Sequence, residues 1–304
     1  MTIALSTAYV ADLASAPEMA AALTNLDIGG VEIDYRLKER DLKALVPLLR
    51  AANLPVTSLH HPVPLPDDYP PALASGDRLS LASPWKDERE ASINLARRTL
   101  EWASDLEAAA VVFHLGTVAD IEPLWAEFRR LYFDKLVDSA EAASWRAEAV
   151  ERRRELAAPY VDRAMLALER LFQPAERLGV TIALEVRYHF HEVPSPAEML
   201  RIFETFRGAP LGYWHDTGHA EVQERVGFLS HRAQIERFGD HLVGAHLHDI
   251  RELTDHLPPG QGTLDFAALA DLLAAAPLKV IEAWPAPRQQ VAQSIALLRE
   301  AGIA

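Results

Sequence analysis

The chain has 304 residues and a formal net charge of -14, with hydrophobic residues at 49% and charged residues at 24%. This composition can build a sizeable core and excludes a disordered chain, while the acidic balance disfavours nucleic acid and anionic membrane surfaces, whose partners usually present a basic face. There is no cysteine, which excludes disulfides and thiolate ligands, so any metal must be held by His, Asp, Glu or water.

The N-terminal stretch MTIALSTAYVADLASAPEM has neither a basic leader nor a long apolar run, and no signal peptide is expected. No apolar run approaches the ~18 residues of a membrane helix. The expectation is a soluble, cytoplasmic protein.

Eight short apolar runs follow one another along the chain. They are Thr2–Ser6, Gly30–Asp34, Pro55–His60, Ala110–Gly116, Val180–Val186, Pro210–Asp216, Leu242–His248 and Leu278–Trp284. Amphipathic segments separate most of them. KERDLKALVPLLRAANL places Leu42, Leu45, Leu48 and Leu49 on one helical face. SPAEMLRIFETFRGA opens with a cap-like Ser195, has Pro196 at the first helical position and ends near Gly208. TLDFAALADLLAAAPL reads as a further helix. Strands alternating with helices imply parallel pairing through crossovers. Eight such units predict an α/β chain folded as one (β/α)8 TIM barrel, a single domain over residues 1–304.

Two connections exceed the plain pattern. Pro62–Pro84 is rich in Pro, Ser and Asp and reads as an irregular loop, with Tyr69 and Trp85 available to close over a ligand. Asp120–Arg177, after the fourth strand, is charged and helical. It reads as a solvated helical insertion packed on the barrel, or alternatively as part of a lid.

The active site of a parallel barrel lies at the carboxyl ends of its strands. Seven of the eight runs end in ionisable residues: Glu32 and Asp34; His60 and His61; His114; Glu185 and Arg187; Asp216 with His219 just beyond; His246 and His248; and Glu282 before Trp284. Strand alternation puts Ser58 with His60, Ala183 with Glu185, Gly244 with His246 and Val280 with Glu282 on shared faces. Unpaired carboxylates inside a barrel would be costly, and a bound cation offsets that cost. Glu185, Asp216, His246 and Glu282 are therefore candidate metal ligands. His61 and His215 read as structural, with His215 turned toward the helices. Glu32 and Asp34 can form ion pairs within the barrel, and Arg187 can pair with a buried carboxylate or bind an anionic substrate group. His189 and His191 fall in a loop and carry no assignment.

The stretches SLHHP, VVFHLG, IALEV, WHDTGHA, GAHLHD, HLPPGQGTLDF and VIEAW, in this order and spacing, resemble the xylose isomerase-like TIM-barrel superfamily, which includes sugar isomerases, sugar epimerases and family-2 apurinic endonucleases. The resemblance implies that Glu185, Asp216, His246 and Glu282 form the four-ligand site of the isomerases and epimerases, which holds Mn²⁺, Mg²⁺, Co²⁺ or Zn²⁺. It implies that His219 binds substrate or a second metal. It also matches His60, His114 and His256 to further ligands of the three-zinc endonuclease branch. Thr254 stands where that branch carries an Asp, and the neighbouring Asp255 is expected to point elsewhere.

Two activities follow from the resemblance. The first is a divalent-metal-dependent sugar or sugar-phosphate isomerase or epimerase. In it, Glu185 and Glu282 serve acid–base roles at an enediolate, while Arg187, His219 and Trp284 contact the carbohydrate. The second is a multi-zinc phosphoesterase using His60, His114, His219 and His256 as additional ligands. The implied cofactor is one to three divalent ions. The implied partners are a small carbohydrate and a second copy of the chain in a homodimer. A third reading, a non-catalytic barrel keeping the ligand shell, requires those ligands to serve no chemistry.

Overall fold

The computed structural model describes residues 3–70, 75, 77 and 79–304. Eight parallel strands close into a barrel: β1 (Ala4–Ser6), β2 (Gly30–Ile33), β3 (Val56–His60), β4 (Ala110–Phe113), β5 (Thr181–Glu185), β6 (Leu211–Asp216), β7 (Leu242–Leu247) and β8 (Leu278–Ile281). Each strand pairs with its sequence neighbour, and β1 closes on β8 through Ala4 opposite Val280. The predicted α/β barrel is the observed fold.

The strands are shorter than the apolar runs that announced them. β4 stops at Phe113, so His114 stands just past the ladder, and Gly116–Thr117 instead pairs antiparallel with Glu192–Val193. β7 stops at Leu247, and Asp249–Arg251 forms a hairpin with Thr254–Leu257. The apolar run continues because these loops are packed against the barrel mouth.

The helices follow their sequence signals unevenly. α1 (Ala16–Thr24) and α2 (Glu39–Ala51) precede β2 and β3, and α3 (Lys86–Asp105) precedes β4. After β4 come α4 (Leu124–Phe133) and α5 (Ala140–Leu178), which make up the expected insertion. The 39-residue α5 starts at a Ser139 cap and stops at Gly179, whose φ of 69° suits a residue without a Cβ. It packs on α3 and holds the loop after β5 through Arg153, which donates to the Phe190 and Glu192 carbonyls. α4 reaches the rim, where Trp125 meets Tyr188 and His189 at ring distances of 5.5 and 5.2 Å.

α6 (Pro196–Thr205) has the expected Ser195 cap, completed by Glu198 as a reciprocal capping box. α7 (Thr217–Arg225) and α8 (His231–Phe238) follow β6. The helix expected over Thr263–Leu278 shrinks to α9 (Ala270–Leu273). Its start is held elsewhere: Thr263 N donates to the Ile250 carbonyl and Leu264 N to Asp249. Pro277 limits its far end. α10 (Arg288–Glu300) closes the ring.

The barrel interior is filled by Ala4, Ala110, Val112, Ala183, Trp214 and Val280, a cluster separate from the main core between strands and helices. Trp214 is fully buried and lies across this interior. A Cβ on Gly244 would sit 2.1 Å from its ring, so β7 carries glycine there to admit the indole. Gly244→Ala is expected to destabilise the fold by about 1–3 kcal/mol through overpacking. Thermal unfolding would register this, with partial recovery in Gly244→Ala/Trp214→Phe.

Candidate metal centre

The Trp214 plug forms a floor, and the polar strand ends stand above it. Trp214 meets the His246 ring at 5.0 Å. Nδ1 of His246 lies 2.5 Å from Glu185, 3.1 Å from Glu282 and 3.7 Å from Asp216. Ligand atoms of these four residues all lie within 4.8 Å of one another. They come from β5, β6, β7 and the end of β8, so the closed barrel converges side chains separated by up to 97 residues of sequence.

The other face of His246 is held too. Its Nε2 donates to Glu32 at 2.9 Å, and Ser58 donates to the same carboxylate at 2.8 Å. A carboxylate behind a histidine fixes its tautomer and raises its basicity as a ligand. Glu32, read from sequence as an ion-pair residue, thus orients Nδ1 toward the three carboxylates.

The electrostatics fit a cation. Burial pushes the Glu185 carboxyl up, but hydrogen bonds from His114 and His246 hold it well below its ordinary range. Burial likewise opposes ionisation of Glu282, and His246 and His256 more than offset it. Burial works against a charge on His246, yet Glu282, Glu32 and Glu185 push it well above the ordinary imidazole value. A proton on Nδ1 offsets one of the three negative charges around it, where a divalent ion among the same carboxylates would offset two. Three buried carboxylates and one imidazole backed by a fourth carboxylate, Glu32, suit Mn²⁺, Zn²⁺, Co²⁺ or Mg²⁺ as a donor set.

Asp216 has additional work. Its Oδ1 accepts from His219 N at 2.7 Å, capping α7, and from Nε2 of His248 at 2.8 Å. Nδ1 of His248 accepts from His256 N at 2.9 Å. This last bond holds His256 at a φ of 57°, a conformation few non-glycine residues adopt. A Cβ on Gly218 would lie 2.1 Å from the His248 ring, so the glycine of the DTGH stretch admits that ring. The PPGQG loop is explained in the same way: Asp249 accepts from the backbone of Gly260, Gly262 and Leu264.

A cavity of about 350 Å³ opens above the centre, lined by Glu185, Glu282, His60, His114, His219 and His256 among others. The four imidazoles matched to further ligands, His60, His114, His219 and His256, therefore gather there, with His246 below them. Nδ1 of His219 donates to the Val186 carbonyl at 3.0 Å, and Nδ1 of His60 faces the His61 carbonyl at 3.3 Å. His114 donates from Nε2 to Glu185 at 2.6 Å and from Nδ1 to Asp77 at 3.2 Å. Burial and Arg187 depress its pKa, but Asp77 and Glu185 outweigh them and raise it to about 9.

Arg187 pairs with carboxylates: Glu185 at 2.8 Å, Asp77 at 3.0 Å and Glu192 at 3.5 Å. Trp284 is at the rim, 38% exposed, 4.6 Å from the His256 ring and with Arg36 stacked 4.4 Å over it. Arg36 in turn pairs with Asp34 at 2.7 Å.

One expectation fails. Asp255 does not point elsewhere: it lines the cavity, 3.7 Å from Nε2 of His219 and 3.2 Å from Nδ1 of His256. The hairpin turns Thr254 outward and brings Asp255 in, which spacing along an assumed extended strand does not anticipate. Asp77 and Glu192 are further lining residues without an assignment from sequence. Glu192 had a local signal in His189-x-x-Glu192, where both the His189 backbone and its Nδ1 donate to the carboxylate. Asp77 lies in the Pro62–Pro84 loop, of which residues 71–74, 76 and 78 lie outside the described residues. Trp85 is 68% exposed and does not line the cavity.

His61 and His215 are structural as read. His61 bonds Thr99 of α3 at 3.0 Å and stacks on Phe113. His215 accepts from the Tyr213 hydroxyl at 2.7 Å and donates to His231 of α8 at 3.1 Å.

A profile of the xylose isomerase-like TIM-barrel family matches residues 20–301. The chain belongs to that family. Solved structures that it resembles include a D-tagatose 3-epimerase-like protein, at 19% identity and TM-score 0.68, covering 99% of this chain and 97% of the other. D-psicose 3-epimerase from Clostridium cellulolyticum H10 superposes at 14% identity and TM-score 0.71, with 100% of both chains covered. The 3-keto-D-glucoside 4-epimerase YcjR from E. coli gives 19% identity and TM-score 0.67 over 95% of each. At these identities the likeness is one of fold. The uncharacterized protein y4fM of Sinorhizobium fredii is 27% identical over 222 residues, 73% of this chain and 59% of that protein. The chain thus spans about three fifths of that relative's length. No helix among the described residues is long and apolar enough to cross a membrane.

Two measurements test the centre. Glu32→Ala is expected to weaken Mn²⁺ affinity about 10- to 100-fold by calorimetry, with Glu32→Gln retaining part of it. Separately, burial depresses His61 and His215 from 6.5 to about 3. The unfolded chain takes up these protons near pH 6.5 and the folded chain does not. Stability is therefore full above pH 6.5 and falls as pH drops toward 3. His215→Asn should flatten part of that fall in a pH series of denaturant unfolding.

Proposed function

We propose that the protein is a divalent-metal-dependent sugar isomerase or epimerase. The observation that carries this reading is the convergence of Glu185, Asp216 and Glu282 on Nδ1 of His246 beneath a polar cavity of about 350 Å³. The family membership and the sugar epimerases among its structural neighbours support it.

The residues to hold the ion are Glu185, Asp216, His246 and Glu282. When bound, a divalent cation supplies Lewis-acid stabilisation of charge on adjacent substrate oxygens. The chain does the rest. Glu185 and Glu282 are both kept ionised and both line the cavity. One takes the proton from the substrate carbon beside the carbonyl, leaving an enediolate. For isomerisation the same carboxylate returns the proton to the neighbouring carbon; for epimerisation the other carboxylate takes up a proton from solvent and delivers it to the opposite face of the same carbon, while the first releases its own to solvent. His114 and Arg187 hold Glu185 in place. Trp284 offers an apolar wall at the rim, and His219 offers Nε2 to a substrate hydroxyl.

The charge pattern narrows the substrate to an uncharged carbohydrate. Arg187, the arginine lining the cavity among the described residues, is already committed to Glu185, Asp77 and Glu192. Asp255 and Glu282 add further negative charge. A phosphate would meet carboxylates without an unpaired cation.

A second reading, the multi-zinc phosphoesterase, is favoured by one observation. His60 and His219 engage backbone carbonyls through Nδ1, the usual tether of a metal-ligating imidazole. Metal content separates the two. About one exchangeable ion per chain is expected, and two or three retained zinc ions would overturn the single-ion mechanism.

With manganese bound, neutral ketoses are expected to incorporate solvent deuterium at the carbon beside the carbonyl. Glu185→Gln and Glu282→Gln should lower that exchange by on the order of 100-fold or more. Phosphorylated ketoses should react on the order of 100-fold less efficiently, because like charges face each other. Equal efficiency would sink the uncharged-substrate assignment.

A further inference from the structure

A groove of about 710 Å³ adjoins the cavity over the metal centre on the side of α4, and the two share Asp77, His189 and Glu192 as walls. Ligand pockets usually measure roughly 300–1,000 Å³. The cavity over the centre, at about 350 Å³, is near the lower bound, so the greater part of the space lies in the groove. α4 supplies its outer side. Trp125 and Arg129, four residues apart, share a helical face, with Ala126 beside them and Glu122 just before the helix. Thr117 borders it from the short antiparallel pair of Gly116–Thr117 with Glu192–Val193.

The chemistry of these walls matches a sugar ring. Trp125 lies 5.2 Å from His189 and His189 5.0 Å from His191, ring to ring, and all three border the groove. The negative face of an aromatic ring attracts the C–H groups of a pyranose. Hydroxyls need donors and acceptors around those rings. Arg129 is exposed and makes no hydrogen bond or ion pair with any described residue, unlike Arg187, which answers three carboxylates. Glu122, exposed as well, adds an acceptor. A guanidinium and a carboxylate together serve neighbouring hydroxyls. An anionic ligand would meet Glu122, Asp77 and Glu192 besides Arg129, and a wholly apolar one would strip water from all of them.

We propose that the substrate is a glycoside, an inference that rests on the sugar isomerase or epimerase reading above. A keto-sugar unit sits over the metal centre. A second sugar ring, joined to it through a glycosidic oxygen, lies in the groove beside Trp125 and His189, with hydroxyls on Arg129 and Glu122. The link passes His189 and Glu192, the walls common to both spaces. α4 belongs to the insertion after β4, so that insertion builds one side of the second subsite.

The test uses the full chain loaded with magnesium, a diamagnetic ion, and ligand-observed NMR titration with three probes. They are D-fructose and the disaccharides isomaltulose and maltulose, which carry a glucosyl unit on different hydroxyls of fructose. At least one disaccharide is expected to bind about tenfold tighter than D-fructose, the worth of one net hydrogen bond. Arg129→Ala should reduce that ratio severalfold. Ala126→Trp, at an exposed position on α4, should bring it to one or below by filling the groove. Equal or weaker binding of both disaccharides, or a preference that survives either substitution, would overturn the glycoside assignment and leave the sugar reading standing. Absence of saturable binding by all three sugars would overturn the sugar reading and this inference with it.

Discussion

The structure turns on three carboxylates held around one imidazole nitrogen inside a barrel. Glu185, Asp216 and Glu282 are almost fully buried, and each faces Nδ1 of His246. Leaving such charges without a counter-charge would be prohibitive in a medium of low polarity. Much of the surrounding architecture serves to make the arrangement tolerable. Glu32 grips the far side of His246, His114 and Arg187 hold Glu185, and the α7 N-terminus and His248 hold Asp216. A divalent cation would satisfy all of the inward-facing oxygens at once.

That constraint reaches into places where no chemistry occurs. The indole of Trp214 forms the floor below His246, and Gly244 is the space that it needs. Gly218 makes room for His248, which steadies Asp216 and, through its other nitrogen, the backbone of His256. The unusual φ of His256 is thus held by the network that orients a candidate metal ligand. The glycines of the DTGH and GAH stretches are there for close approach of aromatic rings rather than for turns. Gly260, by contrast, has a φ of 86° and serves the loop caged by Asp249.

Above the centre, the same logic underlies the proposal of an uncharged substrate. The cavity is polar but its cations are spoken for, since Arg187 answers three carboxylates. An uncharged polyol can exchange hydrogen bonds with such walls without adding a charge.

The sequence by itself determined the barrel and the identity of its strand-end residues. Strand periodicity is local, and alternate residues at the carboxyl end of a barrel strand face the site while those between them face the helices. Glu185, Asp216, His246 and Glu282 were legible for that reason, as were His60 and His114, and His215 was correctly turned outward. Only the tertiary structure decided which groups support them. Glu32 and His246 are 214 residues apart, Asp77 and Arg187 110 apart, and neither pairing has any periodic signal. The inward turn of Asp255 depended on a hairpin whose backbone departs from the strand pattern. The helix expected over Thr263–Leu278 kept only one turn, its leading residues being drawn onto the neighbouring hairpin at Ile250 and Asp249. Local pattern names the residues that must face the barrel mouth, whereas the partners that fix their charge and orientation come from loops whose paths are set by packing.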